Sequence, residues 1–422
     1  MHWRDSMSLL KKILVLVVIA GGVWVWWHVN EDEPTQIKVP ILELPALEVS
    51  EPEVVAWEVE VTEAEAQEVV VRPEVVSERF FYSQLNEEQQ GIFRVLRDGV
   101  ERGDDEIQID TNDAGEVHRI FRLVMFDYPE FFWATGSAAS TVYEWSDGRV
   151  YTVFEPEYGH TGEEREAMQA EIEGVVESFL ASVEPGLSEY ELVRVVYEYI
   201  ISTTTYDLDA PDHQNIYSVF VNRASVCAGF SRAAQLLLNR LGIFSTYVVG
   251  TAYVPGKTDA PIPHAWNLVR VYGEYYYLDV TWGSPVFQED STLTDRIEVL
   301  YDYLLVNEAL LFRTHTLDEN ITMPPTTSLQ HNFFVMNGMF YDAHDEARVL
   351  EAMNGSILEQ EDWVAFKFAT PELYETMRPI ILDDLAPQAA GNLATWHGLG
   401  SARYYVREKE NLNMIIIYWV YE

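Results

Sequence analysis

The sequence predicts an α+β protein: a Cys-bearing helix packs on an antiparallel sheet, small α/β units flank it, and a transmembrane helix precedes them. Three observations carry this prediction. The run VCAGFSRAAQLLLNRL places its apolar residues at helical spacing. The run HAWNLVRVYGEYYYLDVTW reads as two strands joined at Tyr272-Gly273. Ile13 to Val29 is an apolar stretch with no ionisable group before His28.

A chain of 422 residues with 48% hydrophobic content can bury a sizeable core and has room for two or three domains. Its formal net charge of -42 repels a phosphate backbone, and no basic stripe offsets it, so nucleic acid is excluded as an expected partner. The single cysteine rules out an intrachain disulfide. A lone Cys is most often a small buried hydrophobe, so its neighbours must decide its role.

Taken in order, residues 1–29 are expected to form a cytoplasmic tip and a membrane anchor. The apolar run approaches the length that spans a bilayer as a helix. Arg4, Lys11 and Lys12 precede it and Glu31, Asp32 and Glu33 follow, which places the bulk of the chain outside the cytoplasm. Its bulky VWVWWHV end has no small-x-small cleavage site, so the anchor is expected to stay attached. Residues 30–78 are rich in Glu, Val and Pro, and repelling charge with repeated Pro reads as an extended stalk.

Residues 79–160 read as an α/β accessory unit. A helix follows Asn86, a strand lies at EIQID, a second helix ends at Pro129, and two strands meet at Asp147-Gly148. The central domain, 161–324, opens with helices over Glu163 to Ala181 and Ser188 to Ser202, the second with the capping-box pair Ser188 and Glu191. Residues 325–422 read as a C-terminal α/β unit: a strand FFVMNGMFYD, a helix through Met353, a strand WVAFKF, a helix from Leu373 to Leu385 and a closing hairpin.

Chemistry concentrates in the central domain. Ser225 is the expected N-cap of the helix that carries Cys227 in its first turn. Unpaired N–H groups and the positive end of the dipole there favour the thiolate, and can also stabilise an oxyanion. If Tyr272-Gly273 forms the turn, Val271 pairs with Glu274 and Asp279 falls opposite Trp266. His264 then faces the same side as Asp279, at diagonal-neighbour distance, so the carboxylate can orient the imidazole while the other ring nitrogen serves the thiol.

These segments resemble the transglutaminase-like superfamily, whose core is papain-like, and the front unit with MFDYPEFFW also looks like the module that precedes this domain in many bacterial exported members. Val226, Cys227, Gly229 and Phe230 match V-C-x-G-[YF], His264 to Asn267 match H-A-W-N, and Asp279, Thr281 and Trp282 match D-x-T-W. Ala228, Arg223 or Ala224, and Gly283 depart from the family's habits around the triad. The resemblance implies a cell-surface thiol enzyme with the triad Cys227, His264 and Asp279. It would act on protein or peptide amides, cell-wall peptide included, through a thioester that ends in hydrolysis or transfer to an amine. The alternative is a catalytically silent module that binds protein or cell-wall polymer.

The resemblance also implies an oxyanion donor upstream of the Cys, for which Gln214 and Asn215 are the candidates. Trp266 and Trp282 either wall the cleft or belong to the core. His213, His315 and His331 lack metal-ligand spacing and read as surface or loop histidines, so neither a metal nor a cofactor is expected.

Overall fold

The computed structural model describes residues 79–144, 150–253, 260–284, 299–399 and 401–421, with four short strands inside 12–28. The stalk and the Asp147-Gly148 turn lie outside the described residues. Where the expected anchor is described, it is strand and not helix: Lys12–Leu14 pairs antiparallel with Trp26–His28. Among the described residues no helix is long and apolar enough to cross a membrane. Hydropathy and length alone do not separate a helix from paired strands. This run is crowded with Val, Ile and Trp, which favour pleated backbone, and Gly21-Gly22 weakens a helix at its middle.

The body begins with α1 (Glu87–Arg102), entered through an Asn86–Gln89 capping box and ended by Gly103 at φ 76°. Next come β1 (Ile107–Ile109), α2 (Ala114–Asp127), β2 (Ala134–Glu144) and β3 (Val150–Tyr158), with the strands ordered β1-β3-β2, all antiparallel. Then follow α3 (Gly162–Ser182) and α4 (Glu189–Thr203), the latter with both halves of the Ser188–Glu191 capping box formed.

The helix α5 (Cys227–Arg240) leads into a second antiparallel sheet, ordered β6-β5-β4-β7. Its strands are β4 (Ser245–Ala252), β5 (Ile262–Val271), β6 (Glu274–Leu278) and β7 (His315–Leu317). Between β5 and β6, Tyr272 (φ 50°) and Gly273 (φ 84°) are both left-handed, as a type I′ hairpin turn requires. The register from Val271↔Glu274 to Asn267↔Leu278 follows the count made from the sequence.

One continuous apolar core runs from Phe80 through α2, α5 and this sheet to Phe334, and takes in Ala365, Leu412, Met414, Ile416 and Tyr418 of the C-terminal part. The Phe126 ring lies 5.2 Å from that of Tyr247. Arg232 and Gln235 of α5 donate to the carbonyls of Met125 and Phe126, which cannot continue the α2 ladder. The first helix pair is thus bound to the helix that carries the cysteine.

The C-terminal part has a core of its own, including Tyr341, Met353, Phe366, Tyr374 and Trp419. Its sheet is ordered β8-β9-β11-β10, from β8 (Phe340–Tyr341), β9 (Trp363–Phe368), β10 (Arg403–Lys409) and β11 (Met414–Val420). The strand expected over FFVMNGMFYD is only the two residues of β8. Asn332 caps a helical turn at Phe333–Met336 by accepting from the Phe334 N–H, and Gly338 turns the chain at φ 69°. Cap chemistry here outweighs the apolar pattern.

Candidate active site

The helix α5 starts at Cys227, after Val226 in extended conformation, and no side chain caps it. Ser225 is not the cap that the sequence suggests. Its hydroxyl donates to the His213 carbonyl oxygen at 2.9 Å and lies 2.6 Å from Ser218 Oγ. The first-turn N–H groups therefore have no side-chain cap. Arg223 stands at φ 58°, a conformation glycine adopts freely.

Gly229 explains how the preceding loop closes on this helix. A Cβ there would lie 2.0 Å from Ser225 Oγ and 3.0 Å from the carbonyl oxygens of Asn215 and His213. Residues 213–215 thus pass directly over the first turn. The Asn215 side-chain oxygen is occupied by the Tyr217 N–H at 2.9 Å, while Gln214 between these contacts is half-buried.

His264 sits on β5, and Asp279 lies one residue past the end of β6. His264 Nε2 donates to Asp279 Oδ2 at 2.8 Å, and the Cys227 side chain is close enough to the imidazole to raise its pKa. Since Nε2 is on the carboxylate, Nδ1 is the atom left for the thiol. Cys227 itself is half-buried, whereas the His264 and Asp279 side chains are 3% and 0% exposed.

Burial, the largest single influence, disfavours the charged imidazole, and the Asp279 charge opposes it. Together with the hydrogen bond to Asp279 and the nearby Cys227 side chain, that charge exceeds the effect of burial and raises the His264 pKa to about 10. Burial likewise works against the Asp279 carboxylate, yet His264 and His315 hold it well below the usual carboxylate range. Tyr206, whose short strand Thr205–Tyr206 pairs with Ala224–Ser225, has its phenol pushed up by burial and by the charges of Cys227 and Asp279.

His315 is the residue that the sequence reading missed. It lies on β7 with its side chain fully buried, and its Nε2 is 3.1 Å from Asp279 Oδ2. The register explains the meeting: Gly250 of β4 pairs with His264 on one side, and Ala252 pairs with His315 on the other. Two small residues on the middle strand let the imidazoles approach across it, to 5.5 Å between ring centroids. The spacing Gly250-x-Ala252 beside the His-bearing strand is the signal that could have found this. His331 is buried too, with Nδ1 3.0 Å from Tyr276 Oη, and His213 places Nδ1 on the Ala210 carbonyl in its loop.

Neither tryptophan is an open cleft wall. Trp266 is 0% exposed and Trp282 6%, and their rings lie 6.0 and 5.3 Å from that of His264. Gly283, where the family often has Asp, has no room for a side chain, since a Cβ would meet Tyr197 Oη at 2.4 Å. His264, Asp279 and His315 each offer one possible metal-ligand atom, all within 4.8 Å of one another. Two N–H···O contacts to one Asp279 oxygen already satisfy these atoms, because a carboxylate can only accept.

A thiol at a helix start thus faces an imidazole on one strand of an antiparallel sheet and a carboxylate just past the end of the next, in a mixed α+β core. Residues 177–280 match the family model described as the transglutaminase-like superfamily. The match contains Cys227, His264 and Asp279 and ends before His315. Among curated proteins, the kyphoscoliosis peptidases of Mus musculus and Homo sapiens are 24% and 23% identical, over 40% of this chain and 28% of theirs. The match to this chain thus spans little more than a quarter of their length. Among solved structures, a TGase crystal structure is 21% identical, covering 35% of this chain and 44% of that one, with a TM-score of 0.24. The periplasmic domain of TgpA from Pseudomonas aeruginosa is 16% identical, covering 38% and 65%, with a TM-score of 0.21.

Proposed function

We propose that this protein is a thiol enzyme that attacks protein or peptide amides, cell-wall peptide among them, through a thioester on Cys227. The observation that carries the reading is the convergence of Cys227, His264 and Asp279, with His264 hydrogen-bonded to Asp279 and Cys227 at the start of a helix with no side-chain cap. The Cys227 sulfur adds to the amide carbonyl carbon, and the resulting oxyanion faces the first-turn N–H groups and Gln214. His264, charged at neutral pH, gives its proton to the departing amine, leaving a thioester and a neutral imidazole. Water then attacks with His264 taking its proton, which releases the acid and restores the Cys227 thiolate beside the charged imidazole. A primary amine in place of water gives transfer.

Hydrolysis is the preferred outcome, because water needs no second groove, whereas transfer needs one that delivers an amine. The test supplies Gln-containing peptides with a labelled primary amine and follows both amine incorporation and backbone cleavage, with Cys227→Ala as control. Cleavage lost in the variant supports the reading, and incorporation lost in the variant moves it to transfer. If a broad peptide library yields neither product, the silent binding module replaces it. We also propose that the site works outside the cytoplasm, tethered by the apolar run behind Arg4, Lys11 and Lys12. Fractionation that recovers the chain only with soluble cytoplasmic proteins overturns that location.

A further inference from the structure

We infer that His315 is a positioning residue of the triad: its Nε2–H fixes the Asp279 oxygen that His264 uses, and Thr314 and Tyr303 fix the His315 tautomer in turn. The inference rests on the proposed thiol chemistry but concerns a residue outside the segment that the family model matches.

The geometry is a single file of hydrogen bonds. His264 Nε2 and His315 Nε2 lie 2.8 and 3.1 Å from the same atom, Asp279 Oδ2, while the Trp282 N–H reaches Oδ1 at 3.2 Å. A carboxylate only accepts, so the proton of His315 must sit on Nε2. Burial favours the neutral imidazole, which leaves Nδ1 as an acceptor. Thr314 Oγ1 lies 2.9 Å from that Nδ1, and Tyr303 Oη lies 2.9 Å from Thr314 Oγ1. Thr314 can donate to Nδ1 while it accepts from the tyrosine; its other acceptor, the Leu311 carbonyl, is farther away at 3.4 Å.

Packing holds the ring in that plane. The Trp266, Trp282 and Tyr303 rings surround His315 at centroid distances of 5.0, 4.6 and 5.3 Å. A carboxylate with two oxygens can rotate, and a rotation that serves Trp282 alone would take Oδ2 off His264. The His315 donor opposes that rotation, because it would leave a buried N–H unpaired. Asp279 is thereby held from three directions, and the imidazole that faces Cys227 inherits its orientation.

The experiment uses the full-length chain, whose single cysteine makes iodoacetamide a specific probe of Cys227. Alkylation rate is measured from about pH 5 to 10 for wild type, His315→Ala, His315→Gln and Thr314→Val, each confirmed as folded by circular dichroism and thermal unfolding. His315→Ala is expected to slow alkylation at neutral pH about ten- to a hundredfold, the factor expected of one hydrogen bond to a charged group, and to change the shape of the pH profile. His315→Gln, whose amide N–H can stand where Nε2–H does, is expected to restore most of the rate. Thr314→Val is expected to show a smaller loss of the same kind. A folded His315→Ala that keeps the wild-type profile overturns the inference, as does a glutamine variant no better than alanine. If His315→Ala does not fold, the glutamine and Thr314 variants decide alone. A wild-type Cys227 that reacts no faster than a free thiol at any pH would instead defeat the thiol-enzyme reading, so the two failures are distinguishable.

Discussion

Replacing Asp279 with Asn keeps the side-chain shape and removes one charge, and the buried surroundings set the cost. The carboxylate meets three donors: His264 Nε2 at 2.8 Å, His315 Nε2 at 3.1 Å and the Trp282 N–H at 3.2 Å. An amide offers one oxygen to them, so its NH2 group must face at least one N–H. His264 then has no counter-charge, and burial, the influence that opposes its charge, draws its pKa from about 10 down to its ordinary 6.5 or lower. Discharging at pH 7 a group that titrates near 10 spans three pH decades, which at 1.4 kcal/mol each is roughly 4 kcal/mol. Breaking a buried ion pair costs a similar amount, about 3–5 kcal/mol.

The pH dependence has a definite sign. The folded pKa of His264 is above the unfolded one, so its stabilisation is complete below about 6.5 and is lost as pH rises through about 10. The folded pKa of Asp279 is below the unfolded one, so its share is complete above about 4 and is lost on further acidification. Thermal unfolding followed by circular dichroism should show the widest Tm gap between wild type and Asp279→Asn from about pH 5 to 7, closing towards pH 10. Amide turnover should fall by about 10⁴, the factor that the equivalent change causes in a Ser-His-Asp triad. A Tm gap of constant width from pH 5 to 10 would refute the charge-pair reasoning.

Other expectations are as specific. Gly229→Ala places a Cβ 2.0 Å from Ser225 Oγ, so urea unfolding should show a loss of about 1–3 kcal/mol with a fall in activity, whereas Gly174→Ala, with nothing within 4 Å, should be neutral or stabilising. Gln214→Ala should lower kcat by about 10²-fold with little change in KM, as the loss of an oxyanion donor does, and steady-state kinetics separate the two. Lys367 is 1% exposed, and burial lowers its pKa to about 7. Its folded pKa lies below the unfolded value of 10.5, so the wild type gains stability as pH rises through this range. Lys367→Met should therefore raise Tm at pH 6, with the gain shrinking by pH 10.

What could be read from the sequence depended on how local each constraint is. The hairpin that carries His264 and Asp279 is set by two turn residues, so counting outwards from Tyr272-Gly273 reaches the observed pairs Val271↔Glu274 and Asn267↔Leu278 without any long-range information. The position of Cys227 in the first turn is equally local, although Ser225 turns its hydroxyl to the His213 carbonyl and leaves the capping role unfilled. That choice belongs to a loop which Gly229 admits, and no helix signal contains it. For the apolar run at Ile13–Val29 the limit is the opposite one: its pattern states how hydrophobic the stretch is and not which backbone pairing satisfies it.

His315 lies between these cases. It stands 36 residues after Asp279 and joins the site because β7 takes the place next to β4 as the fourth strand. A period-two pattern marks a strand but never names its neighbour. Yet the two small residues facing that neighbour, Gly250 and Ala252, are in the sequence, and a Cβ on Gly250 would come within 1.9 Å of the Thr316 carbonyl oxygen. The middle strand thus records the close approach of a partner whose identity only the fold supplies. Within the segment that matches the superfamily, Cys227, His264 and Asp279 can be read; His315, which meets the same carboxylate at 3.1 Å, lies beyond that segment.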